Sequence, residues 1–195
     1  MDLMPQILAS LKLSIETKQK ILTDERLLAL IEQSVEILVL AFKNNNALLL
    51  CGNGGSAADA QHIAAEFVGR FHYDRPALNA EALSTTSSEI TCIGNDYGFE
   101  HIFSRAVMAK GRKGDVLLAI STSGNSPNIL AAAKKAQEKE MTVISLTGET
   151  GGELKNYSHI TLQIPSRNIP NIQECHITIG HIICELVEAS LFPKK

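Results

Sequence analysis

The sequence predicts an α/β domain in three layers, a doubly wound parallel sheet covered by helices on both faces, with additional helices at the N-terminus. Three observations predict it. Strand-sized apolar runs alternate with helical patterns, as in Ala47–Cys51, Val116–Ile120, Thr142–Leu146 and Ile160–Ile164. Such runs read as strands buried on both faces, and their alternation with helices implies parallel crossovers. Two of the runs break into loops rich in Gly, Ser and Asn that open a helix. A helical stretch precedes the first strand and so lies outside the alternation. With 195 residues, the chain is read as one domain spanning 1–195, with N-terminal helices over 1–45 and the α/β core over 46–195.

Residues 2 to about 45 carry two apolar stripes at helical spacing. Leu3, Ile7, Leu8 and Leu11 form the first; Leu27, Leu28, Ile31, Val35, Leu38, Val39 and Phe42 form a stronger second. Asp24 suits the N-cap of the second helix, and Asn44-Asn45-Asn46 suits its stop. The first stripe fits packing against another subunit or against the sheet of its own chain. After the strand Ala47–Cys51 comes Gly52-Asn53-Gly54-Gly55-Ser56, then a helix to about Arg70. Ala80–Leu83 reads as a short strand, Ser87–Ile93 as a short helix, Gly94–Gly98 as a turn, and Phe99–Ala109 as a helix. The run Val116–Ile120 then feeds Ser121-Thr122-Ser123-Gly124-Asn125-Ser126 and a helix from Pro127 to Lys139. Pro127 fits the first helical turn, where its missing N–H would have no intrahelical partner. Thr142–Leu146, a Gly-rich loop over 147–153, the strand Ile160–Ile164 and a helix from Asn171 to about Phe192 complete the chain.

Composition excludes several classes. The net charge is −3 and no basic run occurs, which argues against a nucleic-acid surface. The apolar runs are too short to span a membrane. The start, Met1-Asp2-Leu3-Met4-Pro5, is too acidic for a signal peptide, so a cytoplasmic protein is expected. Cys51, Cys92, Cys175 and Cys184 fall at irregular spacing with no Cys-x-x-Cys pair, the pattern of reduced thiols rather than disulfides or a thiolate zinc site.

Ligands of open α/β sheets sit at the carboxyl ends of the strands. There the Ser121–Ser126 loop offers backbone N–H groups, hydroxyls and a helix N-terminus, an uncharged cradle for a phosphate. Capping the helix is the plainer role for these residues, but three serines and a threonine in six positions exceed what a cap requires. The Gly52–Ser56 loop permits close approach of backbone to a ligand. It is not a dinucleotide fingerprint, because Ala58 stands near where the third Gly belongs, and no P-loop Lys follows. His62 and Glu66, four apart on the next helix, share a face. They can ligate a metal, act as an acid–base pair, or form an ordinary i,i+4 pair. In the last helix Gln173, Glu174, His176 and His181 interrupt an apolar pattern and require polar partners.

These motifs, in this order, resemble the sugar-isomerase (SIS) fold and, within it, the phosphoheptose isomerase family. The residues that carry the likeness are Cys51-Gly-Asn-Gly-Gly-Ser56, His62, Glu66, Gly94-Asn95-Asp96, Ser121-Thr-Ser-Gly-Asn-Ser126 and Ile172-Gln-Glu-Cys-His176. The resemblance implies a flavodoxin-like sheet and a cytoplasmic homotetramer with active sites between subunits. The implied reaction converts D-sedoheptulose 7-phosphate to D-glycero-D-manno-heptose 7-phosphate, for lipopolysaccharide or capsule. It further implies one zinc per active site on His62, Glu66, Gln173 and His181, with Glu66 and His181 catalytic. Asn53, Gly54, Gly55, Glu66, Asn95, Asp96, Ser121, Thr122, Ser123, Ser126 and Gln173 are the implied substrate contacts. A non-catalytic relative, the DnaA-associating regulatory protein, lacks the acid and the His at the positions of Glu66 and His181, both of which this chain keeps. Eight residues separate Gln173 from His181, about 12 Å along an ideal helix. Both side chains must lean together, or Gln173 must lie in an irregular first turn, or different subunits must supply them.

Overall fold

The apolar run at Val116–Ser121 is the middle strand of a five-stranded sheet. In the computed structural model, which describes residues 2–194, the order is α1 (Met4–Leu22), α2 (Glu25–Lys43), β1 (Leu48–Gly52), α3 (Gly55–Val68), β2 (Ala80–Ala82), α4 (Ser87–Tyr97), α5 (Ile102–Lys110), β3 (Val116–Ser121), α6 (Pro127–Glu138), β4 (Thr142–Thr147), β5 (Ile160–Gln163) and α7 (Ile169–Leu191). The five strands are ordered β2-β1-β3-β4-β5 and all pair in parallel, with Leu50 opposite both Ala82 and Leu118, and Ile144 opposite Leu118 and Ile160. This is the flavodoxin-like order.

Side chains alternate across the pleat, so each face of the sheet meets its own layer. Leu48, Leu50, Leu118, Ile120, Ile144 and Leu162 pack with α2, α3 and α7. Leu49, Cys51, Leu117, Ala119 and Val143 pack with α5 and α6. Both sets are apolar because neither face sees water.

The two N-terminal stripes have different fates. The second covers the sheet of its own chain: Leu27, Ile31, Val35, Leu38 and Phe42 are buried, and Phe42 meets Phe67 of α3 ring to ring at 5.4 Å. Asp24 caps α2 by accepting from the Leu27 N–H at 3.0 Å, worth about 1 kcal/mol. The first stripe stays in the open. Leu3, Ile7, Leu8 and Leu11 are each about half exposed, and Thr17 is the buried side chain of α1 among the described residues. Lys18 of α1 reaches Glu174 of α7 at 3.3 Å. All four cysteines are free. No helix among the described residues is long and apolar enough to cross a membrane.

Three local expectations change. Gly94–Tyr97 is not a turn but the end of α4, which stops at Gly98 with φ +95. A helix tolerates Gly94 at a cost of about 1 kcal/mol, whereas a positive φ calls for glycine. A 3-10 turn, Phe99–His101, precedes α5. The last helix starts at Ile169 rather than Asn171, because Asn168 caps it by accepting from Asn171 N–H at 3.2 Å and Pro170 fits its first turn.

Candidate active site

Strand order reverses between β1 and β3, which opens a crevice above their carboxyl ends. The two loops singled out in the sequence flank it, and both lead into helix N-termini, those of α3 and α6. Gly52 and Gly54 shape the first loop. A Cβ on Gly52 would sit 2.3 Å from the Ser56 carbonyl oxygen, and Gly54 has φ +55. Asn53 is tied across the crevice by a reciprocal amide pair: it donates to Asn128 Oδ1 at 2.9 Å, and Asn128 donates back at 2.8 Å.

The second loop is held from within and from behind. Ser121 Oγ lies 3.1 Å from Ser126 Oγ and accepts from the Gly124 N–H at 3.2 Å. Ser123 Oγ accepts from the Asn125 N–H at 3.1 Å. Behind it, the Glu153 N–H donates to Asn125 Oδ1, the Leu154 N–H to the Gly124 carbonyl and the Gly148 N–H to the Thr122 carbonyl, each at 2.9 Å. A cleft of about 320 Å³ opens beside Thr122 and Ser123, with the Glu149–Arg167 ion pair in its wall. Ser121 is buried and Ser123 exposed, so the loop presents hydroxyls outward from a fixed base. No Lys or Arg lies in either loop. Within the loops, helix ends and hydroxyls are the groups that favour an anion, and the cleft's Arg167 is paired with Glu149.

Further down α3, His62 and Glu66 meet His181 of α7. The two Nε2 atoms of His62 and His181 are 2.9 Å apart, and Glu66 Oε1 is 3.4 Å from His62 Nε2. α3 and α7 run side by side in the same direction: Gln173 lies against Gly55 at one level, and Gly180 against Ile63 lower down. A Cβ on Gly180 would come within 2.5 Å of Ile63 Cδ1, so that glycine is what lets the helices close to histidine distance. The three donor atoms lie within 4.8 Å of one another. Ligands about 2.1 Å from a tetrahedral zinc stand about 3.4 Å apart, so the donor set fits the metal.

The remaining expected residues divide. The Gln173 amide packs against Gly55, where a Cβ would be 2.7 Å from Nε2. Gln173 lies within regular α7 and not in an irregular first turn. Asn95 and Asp96 stand exposed at the end of α4, hydrogen-bonded to each other at 2.9 Å rather than to either loop. Two other polar residues of α7 have partners outside the trio, although Nδ1 of His176 is buried without one. His176 is fully buried with Nε2 3.1 Å from the Thr147 carbonyl, and burial pushes its pKa down to about 4, that hydrogen bond opposing. Glu174 accepts from Asn171 at 3.1 Å and pairs with Lys18. Burial alone would raise its carboxyl, but Ser14, Lys18 and Asn171 outweigh this and lower it.

Sequence reading missed Asn128, which is 2% exposed and fixes Asn53. A polar side chain directly after Pro127 in a helix that must pack on a sheet was its only signal. It also missed Asp59, one turn before His62. Its Oδ2 is buried without a hydrogen-bond partner, and burial raises its carboxyl against the opposing pull of His62.

A doubly wound sheet with two helix-opening loops over its switch point, and a convergent His/Glu/His set beside them, defines a class of α/β domain whose crevice lies at the carboxyl ends of its strands. The family model described as "SIS domain" matches residues 15–148. Phosphoheptose isomerase of Clostridium acetobutylicum is 54% identical over 187 residues, covering 96% of this chain and 95% of that protein. That of Aneurinibacillus thermoaerophilus is 53% identical over 182 residues, covering 93% and 92%. The solved phosphoheptose isomerase of Neisseria gonorrhoeae superposes with a TM-score of 0.91 at 42% identity, covering 96% of this chain and 100% of that one. The chain belongs to the SIS domain family and, within it, to the phosphoheptose isomerases, so it is an isomerase. The Vibrio vulnificus NanR protein complexed with ManNAc-6P, at 17% identity and a TM-score of 0.66, shares the fold alone.

Proposed function

We propose that the chain converts D-sedoheptulose 7-phosphate to D-glycero-D-manno-heptose 7-phosphate, the first step towards heptose for lipopolysaccharide or capsule. The observation that carries this reading is the position of the His62–Glu66–His181 set below the loops. Seven residues of α3 separate Gly55 from His62, about 11 Å of axial rise. An open seven-carbon chain ending in a phosphate spans about 10 Å from single-bond lengths, and a five-carbon one about 2.5 Å less. With the phosphate held by Ser121, Thr122, Ser123 and Ser126 and the head of α3, carbons 1 and 2 of a heptulose reach the trio.

The ketose-to-aldose change moves one proton from C1 to C2 and one from O1 to O2 through an enediolate. Glu66 and His181 form the acid–base pair, one serving carbon and the other oxygen. His62, Glu66 and His181 would hold the zinc, one per active site, which supplies a Lewis acid for the sugar oxygens. Gln173 joins that set by turning from Gly55 or from a second copy; otherwise it contacts substrate beside Asn53, Gly54 and Gly55. Asn95 and Asp96 complete the substrate contacts. The loop, remote from the reacting carbons, holds them in register. The exposed stripe of α1 supports a homo-oligomer, a tetramer in this reading, with active sites between subunits. Residues 1–195 act as one cytoplasmic domain, with no nucleic-acid or membrane partner. A sugar-phosphate-binding regulator on this fold would need the loops but not the convergent trio, whose presence favours the enzyme.

Coupled turnover assays on C5 to C7 ketose phosphates test the proposal. The heptulose phosphate should give the highest kcat/KM, and a preference for a C5 or C6 substrate would refute it.

A further inference from the structure

Arg75 and Glu188 form a buried ion pair that neither loop nor trio uses directly, with side chains 2% and 1% exposed and Nε 3.2 Å from Oε2. Every arm of the guanidinium is committed. Nη2 donates to the backbone carbonyl of Glu66 at 2.7 Å, and Nη1 donates to the carbonyls of Phe67 at 2.6 Å and Gly69 at 3.0 Å. These carbonyls close α3, where helices leave acceptors unpaired and favour a cation. Glu188 is equally committed. Its Oε2 accepts from the Phe71 N–H and its Oε1 from the His72 N–H, both at 2.8 Å. Burial alone would raise this carboxyl; the two N–H groups and Arg75 outweigh it and hold it below its ordinary range.

The pair therefore fastens three segments at one point: the last turn of α3, which carries Glu66; the chain after it, which carries Phe71; and α7, which carries His181 two turns before Glu188. The Phe71 ring, placed by Glu188, stands 5.7 Å from the ring of His181. A buried ion pair is a weak device for stability alone, since well-packed apolar residues of similar volume often serve as well. What it does provide is directional bonding, and here the bonds end on the backbone of Glu66 and on the residue that walls His181.

We propose that Arg75 and Glu188 are positioning residues for the reaction, clamping α3 to α7 so that Glu66 and His181 are held in one cluster with His62, their donor atoms within 4.8 Å of one another. This rests on the functional reading above. Displacements of about 1 Å in a reacting group can cost about 10²-fold in rate, and partners that orient metal ligands are worth about 10–100-fold in metal affinity. The phosphate loop lies at the other end of α3, so substrate affinity should be spared.

The test compares the parent with Glu188→Gln and Arg75→Lys. Arg75→Lys keeps the charge but cannot reach all the carbonyls with one fork. The measurements are kcat and KM for sedoheptulose 7-phosphate, the zinc dissociation constant of metal-free protein, and the melting temperature. The clamp predicts kcat lower by about 10²-fold, zinc binding weaker by about 10–100-fold and KM unchanged, all measured well below the melting transition. Variants that melt earlier but keep parental kcat and zinc affinity would make the pair structural only and overturn the proposal. If Glu188→Gln does not fold, Arg75→Lys decides, and failure of both to fold overturns the positioning role in favour of a folding one. A parent that neither turns over the sugar nor binds zinc sinks the functional reading instead. In that case the clamp still predicts shifted His181 ring resonances in a folded variant without metal, and unchanged resonances overturn it.

Discussion

Replacing Gly124 by Ala tests whether the Ser121–Ser126 loop, the proposed phosphate site, is held from behind by the loop after β4. Gly124 has φ +67, and a Cβ there would lie 2.2 Å from the Gly151 carbonyl oxygen and 2.9 Å from the Gly152 nitrogen. The left-handed backbone costs Ala about 1–2 kcal/mol. Relieving the contact requires the two loops to part by about 1 Å, which strains the bond from Leu154 N–H to the Gly124 carbonyl and that from Glu153 N–H to Asn125 Oδ1. Losing one of these adds about 1 kcal/mol. The expected destabilisation is thus about 2–3 kcal/mol, a fall of about 4–12 °C in melting temperature for a domain of this size. KM for the sugar phosphate should rise, because the Ser121–Ser126 hydroxyls move with the loop. Gly94→Ala is the matched control: nothing lies within 4 Å of its Cβ and its φ is not positive, so it should stabilise α4 by up to about 1 kcal/mol. Calorimetry of both variants with KM measurements gives the answer. A Gly124→Ala protein with parental melting temperature and KM would show that the loops do not brace one another.

Four further outcomes are expected. Glu66→Gln keeps size and an oxygen donor but cannot take a proton, so kcat should fall about 10²–10⁴-fold while the denaturation midpoint holds; normal turnover would remove Glu66 from the chemistry. Protein purified without chelator should carry zinc, and full activity after exhaustive chelation with no metal detected would end that assignment. Acid should destabilise the fold through His176, whose pKa is about 4 when folded against an ordinary 6.5. The unfolded chain binds the proton first, so about 3 kcal/mol is lost as pH falls from 6.5 to 4 and none above. Denaturation midpoints for His176→Gln should lack that slope. Glu188, held low, loses its contribution as pH falls from the ordinary carboxylate range down through its own lower folded pKa, so it acts at the acid end. Light scattering at micromolar concentration should find an oligomer that Leu8→Lys with Leu11→Lys dissociates, and a monomeric parent would refute the role given to α1.

Local pattern alone determined the strands, the α2 cap and the two helix-opening loops, since unbroken apolar runs, Asp24 and the Gly and Ser clusters act on near neighbours. It likewise put His62 and Glu66 on one face. The tertiary structure decided which stripe was buried, because α2 finds the sheet and α1 does not. It also decided that His181, 119 positions from His62, completes the set while Gln173 turns to Gly55. Asn53 meets Asn128 only because β1 and β3 are neighbours, and Arg75 meets Glu188 only because α3 and α7 run parallel. Helical and strand periodicity records which face of an element is apolar, whereas the partner of that face depends on how burial is shared across the whole chain. Contacts between residues so far apart in sequence leave no mark in either segment alone.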